Sequence, residues 1–415
     1  MSDWRAELFA RRTLGVRPGY AALQRVLERL SPGLTTRPPF RVAQIVGTNG
    51  KGSTAAMLAH GLSHAGLPGP VGLYTSPHLH RVGERVRLFE HAGQGRALDD
   101  DAIQRGSETV ARVERELGER LSFFEVLTAI ALLEFVAARC SVVVLEAGLG
   151  GRLDATTAIP AELVAIAHIA LDHQAYLGDT IAAIAGEKAA VIRAGRPVFS
   201  QQQEPEAAAV IEAVARERGA PLEFVAPLER APLGLHGEYQ RHNAGLALAA
   251  LRALVGARAD ARWLDGAVWP GRLEPVARGS GCVWLDVAHN LDGVEALIVA
   301  LAHAGMRPRA IVFGTLADKQ PAAMAERLRG VAPLWLVPPD HGAPMDVDAL
   351  AQAEDRRYGG ADDPALLAAI DEACASGQTL LACGSHYLVG ALRERLGRHR
   401  GATDDRSLSD PLVRS

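Results

Sequence analysis

Cysteine is scarce in this 415-residue chain, and the four that occur, Cys140, Cys282, Cys374 and Cys383, form no CxxC pair and keep no regular spacing. That excludes a disulfide scaffold or a cysteine-ligated metal motif, and buried free thiols in a reducing compartment are expected instead. Aromatic residues make up only 5% of the chain, so the core must be filled with Ala, Leu and Val. No apolar run approaches the roughly 18 residues that a membrane helix needs, and the opening MSDWRAELFARR holds no apolar signal core. The net charge of −4, with Lys and Arg dispersed among Asp and Glu, offers no basic patch to nucleic acid or an anionic membrane. A cytoplasmic protein acting on small molecules, as a monomer, is expected.

What is present starts with length. At 415 residues the chain exceeds one hydrophobic core, and two or three domains are expected. The most informative stretch is RVAQIVGTNGKGS, residues 41–53. Val42, Ile45 and Val46 read as a buried parallel strand that closes abruptly at Gly47. Thr48, Asn49, Gly50, Lys51, Gly52 and Ser53 follow, and a helix-forming run occupies 54–65. Strand, glycine loop and helix is the arrangement in which backbone N–H groups converge on a phosphate. Lys51 adds a point charge for the outer phosphates, and Ser53 or Thr54 a hydroxyl near a magnesium ion. The common pattern has glycine five residues before the Gly-Lys pair and Ser or Thr after it; Ile45 and Gly52 stand there instead.

Helices are expected over 3–14 and 20–30, ahead of that strand. A second strand, 70–74, ends in Thr75, Ser76, Pro77 and His78. Open α/β sheets bind ligands at such strand ends, so Ser76 is a candidate, with a plain Ser-Pro turn as the alternative. Residues 83–96 read as a β-excursion and 98–117 as a surface helix. In the apolar helix 122–139, Ser122 and Glu125 make a capping box, while Phe123 and Phe124 can line a pocket for a flat ring. The strand 142–145 delivers Glu146 beside the phosphate loop, where a carboxylate suits magnesium. Gly148, Gly150 and Gly151 then allow close backbone approach to a ligand. Arg152 and Asp154 stand in that loop as site residues or as an ion pair. A strand over 163–170 leads to Leu171, Asp172 and His173, a helix over 179–192 carries Glu187 and Lys188, and another covers 204–218. Residues 219–235 read as a Pro-punctuated connection. The helix 239–254 carries His242 and Asn243 near its start, where amides can meet a base or ribose.

WPGRLEP, residues 269–275, is the expected domain boundary. Beyond it, strands at 282–285, 309–313, 333–337 and 378–382 alternate with helices, which implies a smaller doubly wound sheet. Its strands end in Asp286, His289 and Asn290, in Asp318 and Lys319, and in Gly384, Ser385 and His386. The tail from about 401 is expected to be disordered. The expected fold class is therefore α/β: an N-terminal phosphate-loop NTPase-type, mostly parallel sheet with flanking helices over 1–270, plus a smaller C-terminal Rossmann-like α/β domain over 271–400.

GTNGKGS (47–53), LYTSPHL (73–79), ERVR (84–87), FFE (123–125), EAGLGGRLDAT (146–156), IALDH (169–173), GEKA (186–189), GR (271–272), DVAHN (286–290) and CGS (383–385) run in order across nearly the whole chain. This set resembles the folylpolyglutamate synthases of the Mur ligase superfamily, many of which also act as dihydrofolate synthases in bacteria. The resemblance implies an ATP-dependent ligase that adds L-glutamate to dihydropteroate or to a reduced folate through an acyl phosphate. It implies that Gly47 to Ser53 hold ATP, with Asn243, Arg272 and Asp286 contacting it. Ser76, Glu146 and His173 would bind magnesium, two ions in all, and Lys51 and Lys188 would serve catalysis, Lys188 as a carbamate. Ser122, Phe123, Phe124 and Glu125 would border the pterin together with Leu153, Asp154 and Ala155, and His289 and Ser385 would position glutamate. Gln174 and Thr157 replace the commoner threonine and asparagine, and GRLEP replaces the commoner GRF segment.

The carbamate has a chemical requirement. Only a neutral amine reacts with carbon dioxide, and an ordinary lysine is neutral in roughly one molecule per thousand near pH 7.4, so burial or nearby cations must lower its pKa. Closure about residues 270–275 is also expected, with Gly271→Pro impairing turnover more than folding. The nearest alternative is a peptidoglycan-type Mur ligase, although residues 1–40 are too few for a nucleotide-sugar domain. A phosphate-loop kinase or regulatory ATPase is more distant, having no need of the DVAHN and CGS motifs.

Overall fold

Uninterrupted aliphatic runs become strands covered on both faces, because a parallel sheet is sandwiched between its crossover helices. The computed structural model, which describes residues 4–14, 19–91, 93 and 95–397, contains two such sheets. The first has eight strands: β1 (Arg41–Val46), β2 (Val71–Tyr74), β3 (Val86–Phe89), β4 (Arg96–Ala97), β5 (Val142–Glu146), β6 (Leu163–Ile166), β7 (Val198–Gln201) and β8 (Leu222–Val225). Their order is β4-β3-β2-β5-β1-β6-β7-β8. All neighbours from β2 to β8 are parallel, and β3 alone runs against the rest, antiparallel to both β2 and β4. β1, β2, β5 and β6 are almost wholly buried, and the helix Lys51–Ser63 beside them is buried nearly all round.

The second sheet holds β9 (Glu274–Arg278), β10 (Gly281–Asp286), β11 (Ile311–Phe313), β12 (Leu334–Leu336), β13 (Arg356–Arg357) and β14 (Thr379–Cys383). The order is β13-β12-β11-β14-β10-β9, with β9 alone antiparallel. Its period-two alternation divides the core. Val283, Leu285, Val312, Leu380 and Ala382 face the helices Pro364–Ala375 and His386–Arg395, whereas Ile311, Phe313, Leu381 and Cys383 face Leu291–His303 and Pro321–Arg329.

The chain divides into two units. One takes in residues up to His78, Val82–Gly234 and Gln240–Val268; the other takes in Leu79–Arg81, Leu235–Tyr239 and the chain from Trp269. The tail from about 401 lies outside the described residues. Among the described residues no helix is long and apolar enough to cross a membrane. The four cysteines are free thiols, Cys282 half-buried and the others buried.

Three differences from the sequence reading have local causes. β8 lies inside the stretch read as a loop; it is an edge strand with no fully buried residue, so it carries little hydrophobic signal. β9 begins within the stretch read as a linker, and pairing of Trp284 with Pro275 in the antiparallel ladder shows that a proline was accommodated there. Gly271 has φ +70°, donates its N–H to Glu274 Oε2 at 2.9 Å and accepts from Val287 N at 2.9 Å. Proline offers neither that φ nor a donor, so Gly271→Pro would damage the local fold and does not test closure.

Candidate active site

β1 lies between β5 and β6, so the loop after Val46 opens at the C-terminal edge of the sheet's centre. Gly47 (φ +147°) and Gly50 (φ +88°) take conformations that other residues adopt at a cost. The Thr48 and Asn49 amides both donate to His168 O, at 2.7 and 3.2 Å. The Thr48 hydroxyl donates to Ala170 O and accepts from Ala170 N, each at 3.0 Å. The segment after β6 therefore holds the loop from one side.

Two amines meet this loop. Lys51 Nζ donates to Thr48 O at 2.9 Å, and Lys188 Nζ, from the helix Ile181–Ala189, donates to Gly47 O at 2.9 Å. Lys188 is only 3% exposed. Burial first, and the Lys51 charge second, push its pKa down to about 7, against the pull of Asp172, Asp154 and Glu187. Glu187 itself pairs with Arg152, whose Nε reaches Oε1 at 2.9 Å.

Asn243 abuts the same loop: a Cβ on Gly50 would lie 2.2 Å from its Oδ1. Its amide is engaged, accepting from Gln201 Nε2 at 2.9 Å and donating to Gln240 Oε1 at 3.0 Å. Gln240 Nε2 donates in turn to Ser53 Oγ at 3.3 Å. Asn243 thus buttresses the loop from a 4% exposed position. Gly50→Ala adds a clash to left-handed strain of about 1–2 kcal/mol; ADP affinity measured by calorimetry should fall at least tenfold. Unchanged affinity would mean that the loop does not depend on this close approach.

Glu146 ends β5 opposite Ile45. It is 4% exposed, and its Oε2 accepts from the Ser76 N–H at 3.1 Å, which ties the loop after β2 to the carboxylate. His173 lies seven residues beyond the end of β6, in a left-handed conformation (φ +52°), so it belongs to a loop rather than to the expected strand end. Its Nε2 is 3.8 Å from Asp172 Oδ2. Among the described residues no group of three or more His, Cys, Asp and Glu could hold a metal. A buried carboxylate, a hydroxyl and an imidazole nevertheless suit a divalent cation that keeps water and phosphate oxygens as its other ligands.

Asp154 organises the glycine loop. Its Oδ2 accepts from Gly148 N at 2.9 Å and Leu149 N at 3.0 Å, and its Oδ1 from Thr156 N at 2.9 Å and Thr156 Oγ1 at 2.6 Å. The expected alternative of an Arg152–Asp154 pair fails because Arg152 is taken by Glu187. Burial raises the Asp154 pKa while these four donors pull it down. Asp154→Asn presents an amide to donors that need acceptors, and should cost about 2–3 kcal/mol in chemical denaturation. A loss under about half a kcal/mol, the scatter of a surface change, would contradict the anchoring role.

Glu125 is spent on the capping box: its Oε2 accepts from Ser122 N at 2.8 Å and Ser122 Oγ at 2.7 Å. Phe123 packs against Phe9 with centroids 5.4 Å apart, and Arg12 and Arg85 sit over its ring. Phe124 is half-buried beside Tyr74 and covers Gly148, whose added Cβ would come within 2.7 Å of the ring. Leu153 is 45% exposed and Ala155 buried, so Phe124 and Leu153 are the residues here that present apolar surface outward. Thr157 is not a passive replacement, because its hydroxyl accepts from Gln44 Nε2 at 2.7 Å and donates to Gly151 O at 2.9 Å. Gln44, Gln201 and Gln240 were not singled out from sequence; an amide inside the aliphatic run of β1 was the available signal for the first.

In the second unit, Asp286 ends β10 opposite Cys383 of β14, which brings Asp286, His289, Ser385 and His386 to one sheet edge. Asp286 Oδ2 accepts from Tyr239 Oη and Leu273 N, and its Oδ1 from Ala288 N, each at 2.8 Å. Burial raises its pKa, opposed by Arg272. Arg272 Nη1 donates to Gly271 O at 3.3 Å. The His289 ring lies 5.1 Å from that of His386, with Nδ1 2.9 Å from Val287 O. Ser385 caps the helix His386–Arg395, its hydroxyl accepting from Leu388 N at 3.0 Å.

Residues 271–386 match the family model described as Mur ligase, glutamate ligase domain. The chain is 34% identical over 392 residues to the dihydrofolate synthase/folylpolyglutamate synthase of Escherichia coli K12, covering 89% of each. It superposes with TM-score 0.82 and 31% identity on E. coli FolC in complex with DHPP and ADP, covering 96% of this chain and 99% of that one. A bifunctional folylpolyglutamate synthase/dihydrofolate synthase with Mn, AMPPNP and L-glutamate bound is similar at TM-score 0.80 and 29% identity, covering 95% and 98%. The chain spans about half the length, 51%, of a Haloferax volcanii relative that is 34% identical over 97% of this chain and is named a probable bifunctional folylpolyglutamate synthase/dihydropteroate synthase.

Proposed function

Because the chain belongs to the folylpolyglutamate synthase/dihydrofolate synthase family of the Mur ligase superfamily, we propose that it is an ATP-dependent ligase joining L-glutamate to a folate-type carboxylate. The observation that carries the reading is the pair of amines, Lys51 and Lys188, bonded to successive carbonyls of one glycine loop, with Glu146 ending the adjacent strand. The molecules bound in two similar structures, DHPP and ADP in one and Mn, AMPPNP and L-glutamate in the other, support the same reading.

A carboxylate does not condense with an amine at neutral pH. The γ-phosphoryl group of ATP passes to the acceptor carboxylate, with cleavage of its bond to the bridging oxygen of ADP. The glutamate amine then attacks the acyl carbon, the acyl C–O bond breaks as phosphate leaves with its oxygen and the electron pair, and the nitrogen sheds a proton as the amide forms. Catalysis of such transfers is mostly placement and charge compensation. Lys51 and the loop amides hold the phosphates, and Asn243 keeps the loop in shape. Ser76, Glu146 and His173 would hold divalent magnesium, two ions in all, and the metal would supply neutralisation of phosphate charge. Lys188, as its carbamate, adds an anionic oxygen ligand beside the phosphate loop. Phe124 and Leu153 border the flat ring, while Asp154 and the Ser122–Glu125 box set the loops that carry them. In the second unit His289 and Ser385 position glutamate. The activity is assigned to the cytoplasm.

ADP release by the purified protein with ATP, magnesium and L-glutamate tests this reading, with dihydropteroate, tetrahydrofolate or no acceptor. Release that depends on an acceptor is expected, and the preferred acceptor separates dihydrofolate synthesis from polyglutamylation. ADP release indifferent to acceptor and glutamate would instead favour a simple ATPase.

A further inference from the structure

At the opposite edge of the first sheet, under the N-terminal ends of β1, β5 and β6, lies a cavity of about 480 Å3. That is within the usual size of small-molecule sites. Four arginines line it, Arg37, Arg41, Arg193 and Arg196, and Glu162 is the one acidic residue among its lining. Four positive charges less one negative leave a surplus of three, in a chain whose overall charge is −4.

The single carboxylate is already committed. Arg41 holds both Glu162 oxygens, Nε to Oε2 at 2.9 Å and Nη2 to Oε1 at 2.6 Å. Arg193 donates Nη2 to Thr157 O at 3.0 Å, but its buried Nε has no acceptor. A buried donor normally finds a partner. The Arg37 and Arg196 guanidiniums are exposed and donate no hydrogen bond to any described residue. Gathering like charges around a concavity is unfavourable unless something negative offsets them. Guanidinium forks match the geometry of phosphate and carboxylate groups. Phe40 and neighbouring prolines of the lining add apolar wall, as organic ligands require.

We propose that this cavity is a second anion site, distinct from the phosphate loop, for an organic polyanion bearing phosphate or carboxylate groups. Arg37 and Arg196 clasp the anion at the rim, and Arg193 Nε donates to it from below. The site does not rest on the ligase reading, because it shares no lining residue with the phosphate loop and stands on its own charge surplus.

The test is calorimetric titration with pyrophosphate or citrate, without magnesium and in 150 mM salt, where loose surface pairing is largely screened. Using the Lys51→Ala protein removes the contribution of the phosphate loop. One of the two probes should bind with a millimolar or tighter Kd, and adding Arg37→Ala and Arg196→Ala should weaken it at least tenfold. Pyrophosphate as the tighter probe identifies phosphate chemistry, citrate carboxylate chemistry. Both arginines are exposed, and circular dichroism checks that the fold is kept. Equal affinity with and without them, or no binding of either probe, overturns the proposal.

Discussion

Lys51→Ala should lower acceptor-dependent ADP release at least a hundredfold while leaving the unfolding midpoint nearly unchanged. Loss of one preorganised donor at a developing charge typically costs ~10²–10³ in rate, and Lys51 Nζ sits within the loop, 2.9 Å from Thr48 O. The side chain is only partly buried, so truncation leaves no large cavity and folding should tolerate it. Glu146→Gln should match the loss in rate, because it removes charge and keeps the volume and the bond from Ser76 N. Steady-state ADP release and a denaturant titration on the same preparations decide the matter. Near-full turnover in either variant would mean that the phosphates are held elsewhere.

Lys188→Met should separate rate from stability in opposite directions. The amine titrates at about 7 in the folded protein, against 10.5 for an ordinary lysine. Between those values the unfolded chain binds more protons than the folded one, so stability rises with pH over that window, and the burden of the buried charge is fully present below about pH 7. Methionine removes the burden. By linkage the variant should therefore be more stable than the parent by on the order of 5 kcal/mol at pH 6, and the advantage should fade as pH approaches 10.5. Turnover should fall at least a hundredfold. Urea titrations at pH 6 and 9.5 read the first effect.

A pKa near 7 also makes about half the amines neutral at that pH, roughly a thousand times the ordinary fraction or more. Degassed, bicarbonate-free protein should lose activity and regain it with bicarbonate, accompanied by a carbamate signal in 13C spectra. The signal would be simple to assign, because Lys51, Lys188 and Lys319 are the only lysines in the sequence. Absence of the signal at saturating bicarbonate would leave Lys188 as an uncarbamylated loop anchor.

The strand, glycine loop and helix at residues 41–63 were legible because every part is local: aliphatic run, glycines needing positive φ, then a helix. The second sheet was legible for a related reason, the regular alternation of apolar strands with helices. Asp154 was not. Its neighbour Arg152 suggested an ion pair, yet Glu187, 35 positions away, captures that arginine and leaves Asp154 to gather backbone donors. Asn243 was placed near nucleotide by resemblance, but nothing in a linear chain announces that Gln201 and Gln240 enclose it. β8 and β9 escaped notice because edge strands with exposed or proline-bearing positions lack the apolar pattern by which buried strands declare themselves. Lys188 was given its role by resemblance alone; its burial, which lowers its pKa to about 7, is a property of the fold.

The run of side-chain amides from Gln201 through Asn243 and Gln240 to Ser53 has a polarity. Every link donates in the same sense, so the dipoles lie head to tail and each strengthens the next. The Ser53 oxygen, as the final acceptor, keeps its own proton to give away, and it gives more readily for being polarised from behind. A change as distant as Gln201→Leu, which interrupts the series at its far end, would consequently be felt as a weaker donor at the mouth of the helix Lys51–Ser63.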